Sequence, residues 1–66
     1  MKLLINGSSH ELADRLTISQ LLEQLKLYPD RVVLELNLKI LTATENLDKE
    51  LCDGDQLEII QFVGGG

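Results

Sequence analysis

The sequence closes on Gly64, Gly65 and Gly66, and the group there with chemistry to offer is a terminal carboxylate on Gly66. Glycine has no side chain to pack and the largest backbone entropy of any residue. The run therefore predicts a mobile tail, residues 64–66, outside a folded domain of residues 1–63. Extended, three residues reach about 10 Å, enough to carry a carboxylate along a narrow channel into another protein's active site with nothing projecting sideways. A terminal carboxyl has an ordinary pKa of about 3.3–3.7, so at neutral pH it is ionised and a poor electrophile. Acyl chemistry at Gly66 thus needs activation, for which adenylation is the usual route. The chain has no G-x-x-x-x-G-K-[ST] phosphate loop and no other nucleotide motif. ATP must then be used by a separate partner, and no cofactor is expected on this chain.

The remaining reactive side chains carry less. Cys52 has no basic neighbour in sequence to lower its thiol pKa, and its place between Leu51 and a turn suits a structural position better than a sulfur-transfer nucleophile. His10 has no second His or Cys at ligand spacing, so it reads as a surface residue and no metal site is expected. Asp53 and Asp55 flank Gly54 in the manner of a turn, without the further ligands of a calcium loop. Thr17 and Ser19 lack the context of a Ser-His-Asp nucleophile. With no paired catalytic groups and no room for a sizeable pocket, the chain reads as a carrier and not an enzyme.

Sixty-six residues make one compact unit, and a domain of that size buries only about 60% of the surface its unfolded chain exposes. The 44% hydrophobic and 26% charged fractions are those of a folded globular chain. Eleven acidic against six basic residues give a net charge of −5, which repels phosphate backbones. That balance argues against nucleic acid and favours either solubility or a partner with basic surface. The single cysteine forms no internal disulfide, and no secretory pattern precedes the first strand, so the cytoplasm is the expected compartment. No apolar run approaches the ~20 residues of a membrane span.

The elements that must position the tail follow from periodicity. Lys2 to Asn6 reads as a strand, Asn6-Gly7 as a hairpin turn, and Ser9 to Ala13 as a second strand. Ile18, Leu21, Leu22 and Leu25 form one helical stripe. Thr17 with Gln20 gives a capping box at its start, and Tyr28-Pro29 marks its end, for a helix from Ile18 to about Lys26. Arg31 to Asn37 alternates as a strand, Lys39 to Leu41 is its short partner, and Thr42 to Cys52 is irregular with a helical turn near Asn46 to Lys49. Asp53-Gly54-Asp55 turns the chain into a last strand, Gln56 to Val63. This order predicts an α+β domain, a mixed sheet of four to five strands packed on one main helix, which is the β-grasp (ubiquitin-like) arrangement. One helix covers one sheet face. Leu4, Ile60 and Phe62 are expected on the other, where a partner would dock.

Two stretches, Leu51-Cys52-Asp53-Gly54-Asp55-Gln56-Leu57-Glu58-Ile59 and Phe62-Val63-Gly64-Gly65-Gly66, resemble the end of the thiamine-biosynthesis sulfur carriers of the ThiS family. The likeness extends to Met1–Gly7, to Thr17-Ile18-Ser19-Gln20-Leu21-Leu22 and to Val33-Leu34-Glu35-Leu36-Asn37. The resemblance implies that the Gly66 carboxylate is adenylated by a ubiquitin-activating-like enzyme using ATP. It is then converted to a thiocarboxylate with sulfur from a donor system, and passes that sulfur to thiazole synthase, which builds the thiazole of thiamine. Gly65 corresponds to the penultimate glycine of the family's diglycine, and Gly64 extends it to three. Sulfur carriers of molybdopterin synthesis or tRNA thiolation, and ubiquitin-like modifiers or interaction domains, share fold and tail; the short chain favours the thiamine branch.

Overall fold

A computed structural model describes residues 1–62; the expected domain end at Val63 and the sites at Gly64, Gly65 and Gly66 lie outside the described residues. Five strands and one helix follow in the order β1 (Lys2–Ile5), β2 (Ser8–Glu11), α1 (Ile18–Gln24), β3 (Val32–Leu36), β4 (Lys39–Thr42) and β5 (Gln56–Gln61). The sheet order is β2-β1-β5-β3-β4. β5 runs parallel to β1 and antiparallel to β3, while β1–β2 and β3–β4 are hairpins. The last strand is therefore the central one, held on both sides.

Register sorts the residues into rows. Ile5, Leu57 and Leu36 stand opposite one another across three strands, and Leu34 stands opposite Ile59. All five are buried on the helix side with Leu3 and Val32. Ile18, Leu21 and Leu22 of α1 are buried against them, and Leu25 is half-buried at the margin. The helical stripe read from periodicity is thus the buried one. Leu16, Ala43 and Leu51 close the core at the loops.

Both helix ends are chemically satisfied. Thr17 Oγ1 accepts from the Gln20 N–H at 3.1 Å and Gln20 Oε1 accepts from the Thr17 N–H at 2.9 Å, the expected capping box. The Ile18 and Ser19 N–H groups donate to the carbonyls of Lys49 and Leu47, so the loop before β5 is tied to the start of α1. The helix stops at Gln24, short of the expected Lys26. Lys26 adopts φ 60°, and the N–H groups of Lys26 and Leu27 return to the carbonyls of Glu23 and Leu22. This is a Schellman turn built without glycine. Pro29 does not end the helix; it opens a 3-10 turn, Pro29–Arg31, that leads into β3.

Other boundaries shift as well. β2 begins at Ser8 and ends at Glu11, since the two-residue turn at Asn6 (φ 48°) and Gly7 (φ 82°) leaves no gap before pairing resumes. The helical turn expected near Asn46–Lys49 lies earlier, as a 3-10 turn over Ala43–Glu45. A hydrogen-bonded turn from Asn46 to Lys49 follows it. β3 and β4 are joined by Asn37 and Leu38, both at positive φ (51° and 73°). The described part of β5 ends at Gln61.

Candidate functional site: the outer sheet face and the end of β5

β5 delivers the chain to the terminal glycines, so its anchoring sets where they begin. Beyond the last strand pair, Val32 with Gln61, the Phe62 N–H still donates to the Arg31 carbonyl at 2.8 Å. Phe62 is therefore fixed beside the start of β3. Its side chain is exposed, as are those of Ile60 and Leu4 (52%, 59% and 37%). All three residues expected on the uncovered face are found there.

The register separates them, however. Leu4 is level with Gln56, four residues before Ile60, or about 13 Å along the strand. Leu4 thus stands at one end of the face and Ile60 with Phe62 at the other. The neighbours of Ile60 and Phe62 come from the β3–β4 hairpin: Val33 lies opposite both Ile60 and Thr42. Phe62, Val33, Ile40, Thr42 and Pro29 line one shallow depression. Ile40, 75% exposed, and Val33 were not anticipated as site residues. Val32, Leu34 and Leu36 are buried in alternation along β3, which sets Val33 on the outer face, but only register places it beside Ile60.

Between the two apolar ends runs a charged row. Glu35 stands directly opposite Glu58 on β5 and opposite Ile40 on β4. Like charges in that position oppose strand pairing. The described residues contain one ion pair, between the N-terminal amine and Asp14, so neither glutamate has a cationic partner among them.

The other candidates resolve into structure. Asp53 Oδ1 accepts from the Lys2 N–H, Asp55 Oδ1 accepts from Asn37 Nδ2, and Asp55 Oδ2 accepts from the Cys52 N–H. Both carboxylates therefore serve the turn, as Gly54 does with φ 88°. The Cys52 thiol is free and exposed, so the structural contribution of that position is its backbone and not a buried side chain. His10 is half-buried, a correction to its reading as a surface residue. It pairs with Leu3 on the helix side of the sheet and lines a hollow with Leu25, Leu27 and Gln61. Among the described residues, no group of three or more His, Cys, Asp or Glu could hold a metal ion, and no helix is long and apolar enough to cross a membrane.

A mixed five-stranded sheet wrapped on one helix, with the last strand central, is the β-grasp fold. Residues 3–66 match the ThiS family, and the chain belongs to that family. It is 42% identical over 50 residues, 76% of each chain, to the sulfur carrier protein ThiS of Bacillus subtilis. It also overlays on the crystal structure of the thiamine biosynthesis protein ThiS from Geobacter metallireducens with a TM-score of 0.81, at 33% identity and with both chains fully covered. All of its 66 residues align at 38% identity with a thiazole synthase of Paramagnetospirillum magneticum, of which the chain spans 20% of the length.

Proposed function

We propose that this chain is a sulfur carrier of thiamine biosynthesis, with Gly66 as the residue modified and Gly64 and Gly65 as the segment that threads into partner active sites. The observation that carries the reading is the family match, which runs through residue 66. In the proposed cycle a Gly66 carboxylate oxygen attacks the α-phosphorus of ATP in a ubiquitin-activating-like partner, releasing pyrophosphate and leaving an acyl adenylate. A sulfur nucleophile at the oxidation level of sulfide then attacks the acyl carbon and expels AMP, giving the thiocarboxylate. This chain's own contribution is positional: β5, held between β1 and β3, presents the tail. Leu4, Ile60 and Phe62 supply apolar contact on the outer face.

Thiazole synthase is the proposed acceptor of the sulfur. A thiazole synthase that contains a stretch similar to all 66 residues supports this pairing, because joining two sequences in one chain raises the effective concentration of each for the other. The test is the intact mass of the chain ending at Gly66 after incubation with its activating enzyme, ATP and a sulfur donor. A product about 16 Da heavier is expected, one oxygen replaced by sulfur, and none with Gly66 removed. Unchanged mass under conditions that consume ATP to AMP would overturn the proposal. Transfer of Gly66 to lysines of other proteins would mark a modifier instead.

A further inference from the structure

The charged row on the outer face is unaccounted for by the fold. Glu35, half-buried, and Glu58 oppose each other on paired strands, at a Cα separation of about 4.5–5.5 Å. Like charges directly opposite on paired strands disfavour pairing, and neither carboxylate has an ion-pair partner among the described residues that would offset this. The cations of the chain are elsewhere. Lys2 shares the outer face but lies beyond Leu4 and opposite Glu11. Lys39 stands opposite the buried Leu36 and so faces the helix side. Arg31 is four residues from Glu35, in the turn before β3. The row is flanked by apolar surface, Ile40 beside Glu35 and the Ile60–Val33 pair one step along the strands.

We propose that this face docks on the activating partner through an arginine of that partner seated between Glu35 and Glu58, while apolar side chains around it meet Ile60, Val33 and Phe62. The inference rests on the sulfur-carrier reading and names the chemistry of its docking partner. Arginine is the cation that fits: its planar guanidinium presents five N–H donors in a fixed fork and can bridge two carboxylates, whereas an ammonium is a compact point charge. Removing the charged row from water strengthens the attraction, and the net charge of −5 steers a basic surface toward it.

The test is calorimetric titration of the full chain into its activating enzyme at about 50 and 300 mM NaCl, a range over which exposed charge interactions are progressively screened. The E35Q/E58Q double variant is compared with I60S and F62S. The wild type is expected to lose affinity with salt. The double variant is expected to bind about tenfold weaker or worse at low salt, with little further loss at high salt, and to melt no lower than the wild type. If the double variant binds as the wild type does, with the same salt dependence, while I60S or F62S binds less well, the arginine is wrong and the docking face stands. If none of the variants changes binding, the face itself is wrong and the arginine falls with it.

Discussion

The side-chain amide of Asn6 takes the place of a peptide group in the pairing of β5: its Oδ1 accepts from the Ile59 N–H at 2.7 Å and its Nδ2 donates to the Ile59 carbonyl at 3.3 Å. The Asn6 backbone N–H is still in the ladder, donating to Leu57, but at φ 48° the chain is already leaving the strand. The side chain therefore carries the β1–β5 pairing one step further than the backbone does, along the strand that leads to the terminal glycines.

Asn6→Ala is expected to cost about 1–3 kcal/mol, because a partly buried Ile59 N–H loses its acceptor and alanine is disfavoured at positive φ. Asn6→Asp keeps the acceptor but sets an oxygen against the Ile59 carbonyl, and should fall between the two. Urea unfolding of the three proteins measures this; an alanine variant as stable as the wild type would show that the amide contributes nothing to the strand.

Asn37 holds the same strand from the other side. Its Oδ1 accepts from the Gln56 N–H at 3.0 Å and its Nδ2 donates to Asp55. It too starts a two-residue turn at positive φ, but its successor is Leu38 (φ 73°), 85% exposed. A left-handed leucine is strained by roughly 1 kcal/mol or more. Leu38→Gly is expected to raise stability by about 1 kcal/mol, seen as a higher melting temperature, since the relief of strain exceeds the added entropy of the unfolded chain. A lower melting temperature would mean that the Leu38 side chain packs in solution.

The helix ends offer an opposed pair. Thr17→Ala removes the capping oxygen from the Gln20 N–H and is expected to cost about 1 kcal/mol. Lys26→Gly relieves the left-handed residue of the Schellman turn and should gain up to about 1 kcal/mol. Thermal denaturation followed by circular dichroism reads both. Equal and opposite shifts are not required, but a destabilised Lys26→Gly would exclude the turn geometry.

These asparagines and turns also mark the limit of what the residue pattern discloses. Periodicity was enough for the buried stripe Ile18, Leu21, Leu22 and for the outer positions of Leu4, Ile60 and Phe62, because side-chain direction follows from local repeats of 3.6 and 2. The helix end was misplaced because a lysine at positive φ carries no composition signal, whereas Pro29 does. Asn6-Gly7 was legible as a turn, yet its bond to Ile59, fifty-three residues away, was not, since it depends on β5 inserting between β1 and β3. The same is true of the candidate site. That Leu4 lies apart from Ile60, and that Glu35 faces Glu58, are matters of register between strands distant in sequence, on which a strand's own alternation is silent.

The two faces of β5 should answer differently to substitution, and this contrast decides whether the outer face is free surface. Leu57 is 1% exposed in the row Ile5–Leu57–Leu36, so Leu57→Ala opens a cavity in three strands at once and is expected to cost about 2–5 kcal/mol. In so small a domain that is a large part of the folding free energy, and the variant should be partly unfolded at ambient temperature. Ile60→Ser removes a side chain already largely in water and is limited to the loss of its contact with Val33 and of strand propensity, within about 1 kcal/mol. Its circular dichroism spectrum and cooperative melt should match those of the wild type. If Ile60→Ser unfolds as Leu57→Ala does, Ile60 belongs to a packed interface of the protein on its own, and neither an activating enzyme nor any other partner could reach it as a docking residue.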